Sequence, residues 1–292
     1  MNDRQMPPVP LSEGAETVDV AVNIFAKPFQ TALSLLSLLK HSGEHVGVIW
    51  LQFEPYGSRY DAISPYYIAR YLREELDERC EVFQPNFWLA REAVDPARLD
   101  DPDYRLGIRY QYAFEQSRSR KLFLMHNDVL VLRDILGDML REMGDAFALG
   151  AVGQCWNCPA RREELTREIM GCGACGPLHY TEFRPDYEAL CRLYARARQR
   201  GIFVRPYDEG FAGMFDAQPW PLPECRVSEW ACLLDLEKTR LFCTPQGPAF
   251  TPGAFRRCGT ENLDTGVAWF RDMHALGLRA RHFELTRYLK HW

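Results

Sequence analysis

The chain has 292 residues, 47% of them hydrophobic and 26% charged, with a formal net charge of -5. This is ordinary for a folded soluble protein, with ample length for one large α/β domain or two joined lobes. The acidic balance argues against a nucleic-acid binder working through bulk charge, and no apolar run approaches the roughly 18 residues of a membrane span.

Residues 1–17 lack the apolar core of a signal peptide and read as a disordered lead-in, so a soluble, cytoplasmic protein is expected. Val18 to Phe25 is β-branched and apolar, the pattern of a first strand. Pro28 ends it, and Phe29 to Lys40 carries a wide apolar stripe at helical spacing, closed by Gly43. Val46 to Phe53 is a second strand, ending in the turn-forming Glu54-Pro55-Tyr56-Gly57-Ser58. Ser64-Pro65 caps a helix reaching about Asp77, and Cys80 to Gln84 is a short third strand. Ala93 to Asp103 is a loop, and Arg105 to Arg118 is predicted as one helix.

Lys121 to Val129 is the most telling stretch. A buried apolar run, Leu122-Phe123-Leu124-Met125, breaks into His126-Asn127-Asp128, so a strand ends on an imidazole, an amide and a carboxylate. In open α/β sheets ligands bind at the carboxyl ends of strands. The plain alternative is a turn, for which Asn-Asp is suited. Asp134 to Met143 is a further helix and Phe147 to Val152 a further strand. The alternation predicts a mostly parallel sheet flanked by helices.

After Gly153, cysteine, proline and short helices dominate until Phe255, with one clear helix from Tyr187 to Arg200. Cys155 and Cys158, then Cys172 and Cys175, form two C-x2-C knuckles with glycines beside them. Four thiolates so spaced suit a structural zinc; buried, unligated cysteines are the alternative. Cys191, Cys225, Cys232, Cys243 and Cys258 are scattered and read as packing residues. Asp264 to Leu276 is a helix capped by Gly277, followed by a strand from Leu278 to Leu285.

Together these blocks resemble nucleotide-sugar glycosyltransferases of the GT-A fold (Rossmann-like), nearest to the family 2 type. Val22-Asn23-Ile24-Phe25-Ala26-Lys27-Pro28 stands for the family's first polar turn, and Glu54 to Ser58 for its acidic turn. Leu106-Gly107-Ile108-Arg109 leads into His126-Asn127-Asp128, which stands for Asp-x-Asp with His126 in place of the first Asp. Thr260-Glu261-Asn262-Leu263-Asp264 stands for the acidic motif of the acceptor side.

The resemblance implies three parts: a nucleotide-sugar half over 18–152, a Cys-rich acceptor-side segment over 153–258, and a completing helix and strand over 259–292. It implies Mn or Mg on Asp128 and His126, with a C-terminal histidine completing the set. His282 is favoured there, with His291 and His274 behind it. Asn23, Phe25, Glu54, Arg109 and Asn127 would contact the donor. Asp264, with Glu261 in reserve, would be the base, although an N-cap role fits Asp264 equally. The acceptor would be a hydroxyl on a glycan, a lipid-linked sugar or a small molecule, which leaves peripheral membrane contact open. A nucleotidyltransferase and a zinc-stabilised, non-catalytic glycan-binding adaptor are the competing readings.

Overall fold

A computed structural model describes residues 16–54, 79–87, 89, 92–152, 226–258 and 261–291, with 167–168, 192, 195–196 and 199–201 as isolated positions. The predicted helix at 64–77, the four knuckle cysteines and most of the predicted helix at 187–200 lie outside the described residues.

Among the described residues, seven strands form one sheet: β1 (Val18–Ile24), β2 (Val46–Phe53), β3 (Cys80–Phe83), β4 (Lys121–His126), β6 (Ala148–Val152), β7 (Val227–Asp235) and β10 (Arg281–His282). Their spatial order is β10-β6-β7-β4-β1-β2-β3. β1, β2, β3 and β4 run parallel, as do β6 and β10, while β7 is antiparallel to both neighbours. The fold is therefore α/β with a mostly parallel sheet, as expected from the sequence.

All residues of β1 and all nine of β7 are buried, as befits strands covered on both faces. Side chains alternate between two cores, with a period of two. Val20, Val22, Phe123 and Met125 pack with Leu35 and Leu38 of α1 (Pro28–Ser42) on one face. Ala21, Leu122 and Leu124 pack on the other face with Trp269, Phe270 and Met273 of a C-terminal helix (Val267–Ala275). The apolar stripe of α1 is wider than the core uses, and Phe29, Leu33 and Leu36 are exposed. Cys232 and Cys243 are buried free thiols, and burial pushes the Cys243 thiol up to about 12.

Four expectations are corrected. The single helix predicted over 105–118 is two short ones, α2 (Pro102–Arg105) and α3 (Gln111–Gln116). Between them Gly107 lies against the Phe87 backbone and Tyr110 takes a left-handed φ of 63°, which interrupts the helix. Residues 227–235, placed by the sequence in a stretch of cysteine, proline and short helices, are the interior strand β7; Val227 is its one β-branched residue, which weakens the strand signal. The C-terminal helix begins at Val267, with Gly266 rather than Asp264 at its N-cap. The strand predicted over 278–285 pairs only at Arg281–His282; the chain then turns and forms β11 (Leu289–His291), antiparallel to β5 (Val129–Val131). Among the described residues, no helix is long and apolar enough to cross a membrane.

Candidate functional site

Because β1, β2 and β4 are parallel, their carboxyl ends share one edge: Asn23 is in register with Gln52 on one side and His126 on the other. β7 runs the opposite way, so its first residues reach that same edge. The β5–β11 pair sets His291 opposite Val129, one residue beyond Asp128. Three sets of polar side chains meet there.

The first set is His126, Asp128 and His291, whose ligand atoms all lie within 4.8 Å of one another. His291 Nε2 is 3.1 Å from Asp128 Oδ1, and His126 Nδ1 is 3.9 Å from the same oxygen. Trp230 stacks flat on the His291 ring, with centroids 5.0 Å apart and planes 2° apart. Asp128 Oδ2 accepts from the Lys27 ammonium. Burial alone would raise the proton affinity of Asp128, but the His291 and Lys27 contacts more than reverse it, holding the carboxyl well below the usual range. Burial, then the neighbouring His291, pushes His126 down to about 3, so its imidazole is neutral and able to donate a lone pair.

The second set is Asn23, Glu54 and Arg109. Asn23 Nδ2 donates to Glu54 Oε1 at 3.0 Å, and Arg109 Nε donates to the same oxygen at 2.9 Å. Asn23 Oδ1 accepts from the Tyr110 backbone N–H at 3.2 Å, tying β1 to the start of α3. Gly253 approaches Arg109 so closely that a Cβ there would sit 1.8 Å from the Arg109 carbonyl oxygen. Phe25, just past β1, is half-buried.

The third set is Arg226, Glu229 and Asp264. Arg226 Nη1 is 2.7 Å from Glu229 Oε2, and Arg226 Nη2 donates to Asp264 Oδ2 at 2.9 Å. Asp264 Oδ1 accepts from the Thr265 N–H at 2.8 Å. Glu229 Oε1 reaches to 3.8 Å from His126 Nε2, linking this set to the first. Burial raises the Glu229 pKa; Arg226 opposes the shift and Asp264 adds to it.

Of the residues named from sequence, the structure brings together Asn23, Glu54, Arg109, His126, Asp128 and Asp264 around this edge. Asn127 is turned away from it. Its Nδ2 donates to the Ala26 carbonyl at 3.0 Å and to Thr31 Oγ1 at 2.9 Å, clamping the β1–α1 turn. His282 sits on the edge strand β10, where its Nδ1 accepts from the Val152 N–H at 3.1 Å; the third donor beside Asp128 is His291. His274 packs among the Phe147 and Phe270 rings. The backbone of Glu261 lies in β9 (Glu261–Leu263), which pairs antiparallel with β8 (Arg256–Cys258). Lys27, Arg226, Glu229 and Trp230 were not anticipated. The last three follow from β7 being a reversed central strand, a placement that only its pairing reveals.

No family model matches the chain, and no curated protein matches it. Among solved structures it is similar to the mannosyltransferase PcManGT from Pyrobaculum calidifontis in complex with GDP-Man and Mn2+. Identity is 11% and the TM-score 0.46, over 92% of this chain and 55% of that one. It is also similar to residues 1–349 of S. aureus TarS, at 13% identity and a TM-score of 0.32, over 46% of this chain and 35% of that one. GalNAc-T7 with UDP, GalNAc and Mn2+ matches at 14% identity and a TM-score of 0.31, over 48% of this chain and 23% of that one. The chain thus spans about half the length of the mannosyltransferase and less of the other two.

Proposed function

We propose that the chain is a divalent-metal-dependent glycosyltransferase that moves a sugar from a nucleotide-sugar donor to a hydroxyl acceptor. The observation that carries this reading is the meeting of His126, Asp128 and His291 at the carboxyl ends of parallel strands, beside two acids held by one buried arginine. Two imidazoles and a carboxylate form a donor set that suits Mn better than Mg. The ionised Asp128 and the neutral His126 are both in the protonation state a metal requires. When bound, such an ion neutralises charge that develops on a departing diphosphate.

The chain's own residues do the rest. Asn23, Glu54 and Arg109 form a rigid polar rim, with Phe25 beside it, suited to hold base and ribose. Asp264 is the proton acceptor for the acceptor hydroxyl. Arg226 holds and aims it, in place of the helix start inferred from sequence. Glu261 stays in reserve for that role. A glycan, lipid-linked or small-molecule acceptor would enter on the Asp264 side. A structural zinc on Cys155, Cys158, Cys172 and Cys175 completes the proposal.

A thermal-shift screen of UDP-, GDP-, TDP- and CMP-sugars, with and without Mn2+, tests this directly. One donor should stabilise the protein only when Mn2+ is present, and Asp128→Ala should lose that shift. Absence of a shift with every donor would sink the proposal.

A further inference from the structure

The Lys27 side chain is 45% exposed, yet its ammonium rests on Asp128 Oδ2, the oxygen opposite the one facing His291. The backbone beneath the lysine is unusual. Ala26 and Lys27 both take left-handed φ angles, 51° and 59°, and neither is glycine. Each such residue costs on the order of 1 kcal/mol and persists only where its surroundings impose it. Here they do: Asn127 Nδ2 holds the Ala26 carbonyl, and the Thr31 N–H and Oγ1 hold the Lys27 carbonyl at 2.9 and 2.8 Å.

This turn also opens α1, a 15-residue helix with no side-chain cap and no acidic residue in its first turn. An uncapped helix N-terminus attracts anions, phosphate among them, because its N–H groups and dipole point outward. The ammonium lies at this helix start, and Asp128 is the anion that meets it.

We propose that Lys27 is a diphosphate-binding residue that waits on Asp128 and is released when a divalent cation takes that carboxylate. Without metal, the lysine neutralises Asp128 and keeps a buried carboxylate paired. With metal, the ammonium is freed beside the helix start, where phosphate oxygens are its natural partners. The assignment rests on the metal-dependent donor site proposed above. It makes metal and lysine competitors in the empty site, and partners once a nucleoside diphosphate is bound.

The test uses Lys27→Met, which keeps the aliphatic stem and the same left-handed backbone, with Lys27→Gln as a second variant. Mn2+ affinity, followed by loss of the free-ion paramagnetic resonance signal, should rise by roughly three- to tenfold in both. With Mn2+ saturating, calorimetric affinity for UDP or GDP should fall by roughly tenfold. Unchanged or weaker Mn2+ binding, or unchanged nucleotide affinity, in variants that melt like the wild type overturns the assignment while leaving the donor site standing. A wild-type protein that binds Mn2+ but neither nucleotide overturns the donor site, and this assignment with it.

Discussion

His291 Nε2 lies 3.1 Å from Asp128 Oδ1, although 163 positions separate the two residues. The contact exists because β11 pairs with β5, and Trp230 stacks on the imidazole from the other side. Replacing His291 with Ala should lower Mn2+ affinity at least about tenfold, the scale of losing an orienting or ligating group at a metal. His282→Ala, on the sheet edge, should leave it unchanged. Equal loss in both, measured by Mn2+ titration, would count against this set of ligands.

Arg226 serves two acids at once, Glu229 and Asp264, and all three are largely buried. Arg226→Met removes the shared cation and leaves two carboxylates facing each other. Breaking a buried pair in this way costs about 3–5 kcal/mol. The urea midpoint should fall accordingly, and the double variant Arg226→Met, Glu229→Gln should recover part of the loss. No recovery would mean that Glu229 is not paired in solution.

Gly253 makes a steric prediction. A Cβ there would collide with the Arg109 carbonyl, a backbone atom that cannot rotate away. Gly253→Ala should destabilise the protein by about 1–3 kcal/mol, as overpacking does. It should also weaken donor-dependent thermal stabilisation, because Arg109 moves with its backbone. Gly43→Ala, where nothing lies within 4 Å of the added methyl, is the control.

The buried imidazoles give a pH dependence of definite sign. Burial lowers the pKa of His126 and of His274 to about 3, below the ordinary 6.5. The unfolded chain therefore binds protons first as pH falls. Their contribution is intact above pH 6.5 and is lost progressively between 6.5 and about 3. Each can steepen the loss by at most about 1.4 kcal/mol per pH unit, and partly exposed His126 by less. Urea midpoints between pH 7 and 4.5 should fall more steeply in the wild type than in a His126→Gln, His274→Gln double variant. Parallel curves would refute this origin.

Much of this arrangement was readable from residues alone. Val18–Ile24, Val46–Phe53 and the helix capped by Asp134 announce themselves through local pattern, since burial and capping act within a few residues. The break from Met125 into His126-Asn127-Asp128 marks the end of a buried strand in the same local way. Other parts depend on who pairs with whom. His291 matters because a three-residue strand finds β5, and Glu229 because β7 runs against its neighbours. Asn127 looked like a ligand group and is a backbone clamp, because a polar side chain at a strand end can face the crevice or the adjoining turn. The Lys27–Asp128 contact was invisible in the sequence, since two left-handed residues without glycine leave no compositional trace.

The β5–β11 pairing also sets an order of events. A ribosome delivers Asp128 163 positions before His291, so the cluster of His126, Asp128 and His291 closes only after β11 has been made. Until residue 291 emerges and β11 docks, Asp128 has Lys27 but not His291 to face. On the metal site proposed above, loading follows folding rather than guiding it, and a destabilised β11 should weaken Mn2+ binding while most of the sheet stays intact.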